Sequence, residues 1–543
     1  MMSRLKIFKL LLITVTCFLV FGFIIYPLLQ LFPQSRSQSF AALFSQKQIL
    51  SACFNSFLLA VITVAGSAVI GTYFAYSFYF KKIRLRRFLS VIVLLPIAIP
   101  PIVGVMAYLF LAGENGLLMK LTGLKHFYLS GWTAIIFIHL YSFYPLFYLF
   151  AGNALKTVDN NIIEASRILG AGKNRTFFRI ILPQLKPALL GASLLTFMAS
   201  MASFSAPFIF GGSQRFLTTE IYYAKINGDT SLSALLSLLL AAISIAALFL
   251  FRLYSKQIPA TRQTKGAAKK INAGDNKNYN YQATVISILF AAIIILPIVS
   301  LIVISLSPDS ALMNPGFDQN ISFKNYSELF TNADFLQPFM NSLSTSLIAV
   351  ALSILAGLSI AHIIRGKKNI FKTLLEALSS IPYGLPGTVI AICLILSFNV
   401  PTIFTFNTVL VGTFGILPLA YTIRNLPVMT QAVKAGLHAV DSSAEEASAS
   451  LGAGSFKTWR SVTLPSIYAN ITEGALLVFI SSFGEFVATV LLYNYSTKTI
   501  PIEIYAQMRL FNNGTASAYG VVLFLIVLLV IFLSRRISNK KYA

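Results

Sequence analysis

The sequence predicts an all-α integral membrane protein of about twelve transmembrane helices, arranged as two parallel, homologous six-helix halves. Three observations predict it: apolar runs of bilayer length, basic charge clustered in the gaps between those runs, and an internal repeat relating the two halves of the chain.

Of the 543 residues, 56% are hydrophobic and only 11% are charged, against about 25% charged in soluble domains. Mean hydropathy is +0.77. The apolar residues gather in runs that approach or exceed the roughly 20 residues a helix needs to cross a bilayer. Within lipid the backbone must bond to itself, so such runs are helices. Twelve spans follow, at about 10–32, 51–80, 88–112, 132–155, 188–210, 231–253, 283–306, 339–364, 373–398, 404–430, 471–492 and 514–534. The first is longer than a signal-peptide core and lacks a small-residue cleavage site, so it reads as a retained helix.

The net charge of +25 would suit a nucleic-acid partner if it covered one face. Instead it falls in clusters between the runs: Arg4, Lys6 and Lys9; Lys81, Lys82, Arg84, Arg86 and Arg87; Arg365, Lys367 and Lys368; Arg535, Arg536, Lys540 and Lys541. That is the pattern of cytoplasmic loops. The expected medium is therefore the lipid bilayer, with both termini in the cytoplasm and no nucleic acid bound. Cys17, Cys53 and Cys393 are odd in number and lie inside apolar runs, which argues against a disulfide framework. His126, His139, His362 and His438 show no metal-ligand spacing. No metal and no cofactor are expected, and a lone His such as His139 reads as a hydrogen-bonded core residue.

The repeat is explicit. Residues 158–183 (VDNNIIEASRILGAGKNRTFFRIILP) align without a gap on residues 440–465 (VDSSAEEASASLGAGSFKTWRSVTLP), an offset of 282. Asn55-Ser56 recurs as Asn341-Ser342, Pro96 and Pro100 as Pro382 and Pro386, Ser203-Phe204 as Ser482-Phe483, and Glu220-Ile221-Tyr222 as Glu503-Ile504-Tyr505. The expected domains are a first half at 1–253, a polar and basic linker at 254–282, and a second half at 283–543. Six spans separate equivalent points, and an even number restores the side of the membrane, so both copies of the repeated loop face the same way.

In each copy Asp159 or Asp441 suits an N-cap. A short helix then carries Glu164-Ala165-Ser166 or Glu446-Ala447-Ser448, and Gly170 or Gly452 falls where a helix stops at a left-handed residue. An ordinary connection would be shorter and would not be duplicated intact. Gly170-Ala171-Gly172-Lys173 is not a phosphate loop, because position 167 is Arg and position 174 is Asn where that motif needs Gly and Ser or Thr. The chain is therefore not expected to be an ATPase. Glu485, inside the expected span 471–492, is an intramembrane acid and so a functional candidate. With the duplicated Ser203 and Ser482 it is a candidate for lining a translocation pathway, and fixing helix packing is the competing role. The mid-span prolines suit kinks.

With Glu164-Ala165-Ser166 then Gly170, and Glu446-Ala447-Ser448 then Gly452, the chain resembles the permeases of binding-protein-dependent ABC importers. Their cytoplasmic loop begins Glu-Ala-Ala with a Gly a few residues later; Ser stands for the second Ala here in both copies. The resemblance implies a type I importer permease fold in a bacterial inner membrane. It also implies a coupling helix in each loop, docked on one of two ATP-binding cassette subunits, and an extracytoplasmic substrate-binding protein. The fused two-half form resembles the ferric-iron and thiamine permeases. SFSAPFIFGG (203–212) and SFGEFVATVLLY (482–493) look more like the iron group, so ferric iron is the expected cargo and thiamine the next. A stand-alone secondary transporter or channel would explain the hydrophobicity and the duplication, but not the paired acidic loops.

Overall fold

The structure, a computed structural model, describes residues 2–35, 46–123, 128–257, 279–313, 320–366 and 369–539. Every regular element among the described residues is a helix. Most of the expected linker at 254–282 lies outside them.

The chain opens with α1 (Met2–Val20), a π-helical turn and α2 (Tyr26–Gln34), followed by α3 (Lys47–Phe80). The run expected at 88–112 is not one helix. It divides into α4 (Arg86–Ile92), a 3₁₀ turn (Leu95–Ala98) and α5 (Pro101–Ala112). Proline has no N–H to donate and crowds the preceding turn, so it ends a helix, yet it fits the first position of the next. Pro96 and Pro100 stand in the break and Pro101 opens α5. After α6 (Leu117–Thr122) and α7 (Gly131–Leu155) come α8 (Asn160–Ile168), α9 (Lys173–Thr176) and a π-helical turn leading into α10 (Leu182–Met201). The half ends with α11 (Ser205–Phe210), α12 (Leu217–Ile226) and α13 (Thr230–Gln257).

The second half repeats the order. α14 (Tyr281–Ser305), α15 (Lys324–Thr331) and α16 (Ala333–Ile364) precede α17 (Ile370–Ser380) and α18 (Gly387–Phe398). These last two are bent by 111° at the break that holds Pro382 and Pro386. The prolines expected to kink continuous spans therefore interrupt them. Then come α19 (Ile416–Ala439), α20 (Ser442–Ser450), α21 (Ser455–Thr458), a further π-helical turn, α22 (Leu464–Phe483), α23 (Thr489–Leu492), α24 (Ile500–Arg509) and α25 (Asn513–Asn539).

Ten helical stretches among the described residues are long and apolar enough to cross a bilayer, and the bent pair makes up to eleven. α19 falls short in composition, since it carries Arg424, Asn425 and Lys434, but it stands where α7 stands in the first half. Three expected spans shift. The span at 188–210 is Lys173–Met201, the span at 471–492 is Ser455–Phe483, and the span at 404–430 begins only at Ile416.

The chain forms two compact units. In the unit of residues 44–219 and 242–322, α3, α7 and α10 pack on one another, and α14 lies against α4 and α5. In the unit of residues 1–43, 220–241 and 323–543, α16, α19 and α22 form the equivalent trio, and α2 lies against α18. Thus the opening helix of each sequence half packs into the unit built mainly by the other half. Each trio is held close by a glycine. A Cβ on Gly71 of α3 would meet Tyr144 O of α7 at 2.5 Å, and one on Gly357 of α16 would meet Met429 Cγ of α19 at 2.6 Å. Small residues at crossings are how helices approach in lipid, where no hydrophobic force drives them together. Outward faces stay apolar: Leu289 of α14 is 61% exposed and Leu355 of α16 is 65% exposed, as suits side chains against acyl chains.

Candidate coupling loops and membrane-embedded polar bridges

The repeated loop has the same local design in both copies. Asp159 Oδ1 accepts from the Asn161 amide at 2.9 Å and Asp441 Oδ1 from the Ser443 amide at 2.9 Å, capping α8 and α20. The Ser443 amide holds the Asp441 carboxyl below its ordinary range. At the other end Gly170 has φ +80 and Gly452 has φ +81. The Gly170 amide donates to Arg167 O at 3.0 Å and the Ala171 amide to Ser166 O at 2.9 Å; the Gly452 amide donates to Ala449 O at 3.0 Å and the Ala453 amide to Ser448 O at 3.1 Å. This is the Schellman pattern, which needs a left-handed residue after the helix end and so favours glycine.

The departure from Glu-Ala-Ala acquires a reason here. Ser166 Oγ lies 3.2 Å from Thr176 Oγ1, and Ser448 Oγ lies 3.0 Å from Thr458 Oγ1. Each serine ties the first short helix to the second. The Ser-Thr recurrence at equal spacing was visible in the sequence as a signal of this bridge.

Glu164, Ala165, Glu446 and Ala447 are solvent-exposed. Beside them each loop offers a bare apolar tip: Ile168 and Leu169 are each 86% exposed, and Leu451 is 89% exposed. Beneath that shared surface the two loops are anchored differently. Ile163 packs with Ile181, Leu155 and Leu185 in an apolar cluster. The equivalent Glu445 takes both Arg365 Nη1 and Nη2 at 2.8 Å and the Thr463 hydroxyl at 2.6 Å. The bonds from Arg365 hold the Glu445 carboxyl below the usual carboxylate range despite partial burial.

Of the three pathway candidates, Ser203 and Ser482 bond to a neighbouring helix of their own unit. Ser203 Oγ is 3.0 Å from His139 Nε2, while Nδ1 of the same ring is 3.0 Å from Ser200 Oγ and 3.2 Å from Thr63 Oγ1. His139 is 1% exposed and joins α3, α7 and α10. In the second half its place, 282 residues on, is taken by Tyr421 (421 − 139). Tyr421 Oη is 2.7 Å from Thr489 Oγ1, and Asn425 Nδ2 donates to Ser482 Oγ at 3.3 Å. Glu485 is not within a helix. α22 ends at Phe483, and Glu485 sits in the break before α23, where Oε1 accepts from the Ala488 amide at 2.9 Å. Its other oxygen pairs with Arg424 of α19, and the carboxylate is 6% exposed. No local feature of the sequence signals that Arg424 and Glu485, 61 residues apart, meet. Among the described residues no group of three or more His, Cys, Asp or Glu could hold a metal ion.

The Asn-Ser landmarks also find a role. Asn55 Nδ2 donates to Arg215 O at 3.0 Å and Ser56 Oγ accepts from the Leu217 amide at 2.9 Å. Asn341 Nδ2 donates to Lys498 O at 2.8 Å and Ser342 Oγ accepts from the Ile500 amide at 2.8 Å. Each pair pins the start of the short helix that carries Glu-Ile-Tyr.

Comparison with known proteins agrees with the duplicated design. A probable ABC transporter permease protein, y4fN, of Sinorhizobium fredii is 25% identical over 84% of this chain and 82% of its own length. The ferric transport system permease protein FbpB of Actinobacillus pleuropneumoniae is 29% identical over 94% of this chain and 76% of its own. A putative ferric transport system permease protein, FbpB 1, of Haemophilus influenzae is 28% identical over 89% and 78%. The family described as "Binding-protein-dependent transport system inner membrane component" matches residues 67–259 and again 351–542. With two copies of that domain fused in one polypeptide, the chain belongs to this family: it is the multi-pass permease of an ABC importer, a transport subunit whose ATPase is a separate protein.

Proposed function

We propose that this permease imports ferric iron, received from an extracytoplasmic binding protein and driven by two ATPase subunits that dock on α8 and α20. The observation that carries the cargo is the alignment of ferric permeases along 94% and 89% of the chain, both halves included. The docking is supported by the loops themselves: a rigid capped helix, an exposed acid and an exposed apolar tip in each. Contacts made on those exposed surfaces would let a closing ATPase pair move the helices that follow, α10 and α22.

Uptake of radioactive iron should fall when the gene is deleted, and thiamine uptake should not. Loss of thiamine uptake with iron uptake intact would keep the importer and discard the cargo.

Docking requires both loops on the cytoplasmic side, with both termini. Asn174 and Ser455 are both exposed, one position apart in the aligned loops. In a chain lacking Cys17, Cys53 and Cys393, cysteines at these two positions should react with an impermeant maleimide only after the inner face is opened. Labelling of either from outside would overturn the parallel arrangement.

A further inference from the structure

The two repeated loops differ beneath their shared surface, and the difference can be followed position by position. The landmarks before each loop recur at an offset of 286, as Asn55 to Asn341 and Pro96 to Pro382 do, and the loop itself recurs at 282. On those offsets Arg365 stands where the first half has Tyr79 (365 − 286), Glu445 where it has Ile163 (445 − 282), and Thr463 where it has Ile181 (463 − 282). Tyr79, Ile163 and Ile181 all belong to one apolar cluster. Their three counterparts bond to one another instead. The Arg365 guanidinium donates to both oxygens of Glu445 at 2.8 Å, and the Thr463 hydroxyl donates to Oε1 at 2.6 Å. Arg365 follows α16 directly, Glu445 lies in α20, and Thr463 closes the π-helical turn before α22. One carboxylate thus fastens the loop helix to the ends of two long helices. A second tier backs it. The Lys372 ammonium of α17 donates to the Arg365 carbonyl, and Glu376 of α17 pairs with Lys434 of α19. The first half has Ser90 (376 − 286) and Gly152 (434 − 282) at the places of that pair.

We propose that Arg365, Glu445 and Thr463 form a directional clasp that makes α20 move with α16 and the start of α22 as one body when an ATPase subunit pulls on the loop. This rests on the docking reading above. A single exposed ion pair holds little, but bidentate geometry and membership of a network are the conditions under which one counts. Here the pair is bidentate, networked and partly shielded, with the Arg365 side chain 32% and the Glu445 side chain 23% exposed. The planar guanidinium fork fixes the carboxylate in orientation as well as distance. Apolar contact is non-directional, so the cluster around Ile163 keeps its energy while its surfaces slide. The two loops therefore pass on the same pull differently: the second as a rigid strut, the first with some play. Arg365 and Glu445 are positioning residues, acting through the loop helix and not on cargo or nucleotide.

The test measures distances between pairs of nitroxide labels on the full chain, freed of Cys17, Cys53 and Cys393, with its ATPase subunits in lipid nanodiscs. Labels at the exposed Leu355 and Ser443 report α16 against α20, and labels at the exposed Val69 and Asn161, the equivalent positions, report α3 against α8. With the native clasp, the Leu355–Ser443 distance should be the same without nucleotide and with ATP plus vanadate. Glu445→Gln keeps the volume and removes the charge. It should match the native distance without nucleotide, then shift to a longer and broader distribution with ATP plus vanadate, while the Val69–Asn161 pair is indifferent to the substitution. Arg365→Lys keeps the charge and loses the fork, so it should shift in the same direction by less; it supplies the comparison if Glu445→Gln aggregates. A native distance that moves with nucleotide, or variants that do not, would overturn the clasp. So would variants already displaced without nucleotide, which would make the bonds a fastening of the resting fold only. If the ATPase subunits are not recovered with the native chain, the docking reading falls and the clasp with it; if they are recovered and the distances fail, the clasp falls alone.

Discussion

Gly452→Val should abolish most transport while leaving membrane insertion and protein level close to wild type, and Gly170→Val should act in the same direction. Both glycines hold φ near +80 (φ +80 and +81), and a Cβ added at either would have nothing within 4 Å. The effect is thus free of steric clash and comes from the backbone alone. A left-handed conformation costs an ordinary L-residue about 1–2 kcal/mol, and a β-branched one more. One way to escape is to give up the helix end, which loses the two Schellman bonds and swings the exposed Leu451 or Leu169 away from its docking position. Asparagine tolerates the left-handed region, so the expected order of activity is Gly, then Asn, then Ala, then Val. Glu164→Ala and Glu446→Ala remove exposed acids that have no structural role to lose; they should weaken recovery of the ATPase with the purified permease, without changing its folding. Transport assays alongside quantified membrane protein decide the matter. Wild-type transport by all four variants would reduce the loops to connectors.

What sequence revealed and what it hid divide along the range of the interactions. The N-caps at Asp159 and Asp441 and the left-handed glycines are set within five or six residues, so composition and spacing suffice to read them. The duplication was legible because it is a property of the string itself. The prolines announced a disturbance, but whether a helix kinks or breaks depends on what packs against the freed carbonyls, and here both sites break. Longer-range facts had no local signal. Nothing near Glu445 foretells that Arg365 will hold it, while its equivalent Ile163 sits in an apolar cluster. Nor does the order of elements show that the opening helix of each half packs into the unit built mainly by the other. Burial misled in one place. Glu485 lies in an apolar stretch and so read as mid-span, yet the helix ends before it, and its carboxylate accepts from the Ala488 amide and reaches Arg424.

That pair carries the second large effect. Glu485→Ala should lower the thermal stability and yield of the detergent-solubilised permease sharply. It strands Arg424 and leaves the Ala488 amide without its acceptor. Removing one member of a buried ion pair costs about 3–5 kcal/mol. The value here should fall toward the lower end, because the Arg424 side chain is 32% exposed against 6% for Glu485 and water shares part of its charge. By the same reasoning Arg424→Met should cost at least as much, because the charge it strands is the nearly buried Glu485 carboxylate. The informative variant is the double one, Arg424→Met/Glu485→Gln, which keeps an acceptor for Ala488 and removes both charges. Replacing a buried pair by neutral groups of similar volume is often nearly neutral, so the double variant should recover most of the stability lost by either single charge removal. Simple additivity of the Arg424→Met and Glu485→Gln single effects would mean that the groups do not act as a pair. Once the double variant folds, transport separates the two roles that Glu485 admits. Wild-type transport would make the pair a fastening between α19 and the break after α22. Lost transport in a well-folded protein would mean that the charge itself meets the cargo.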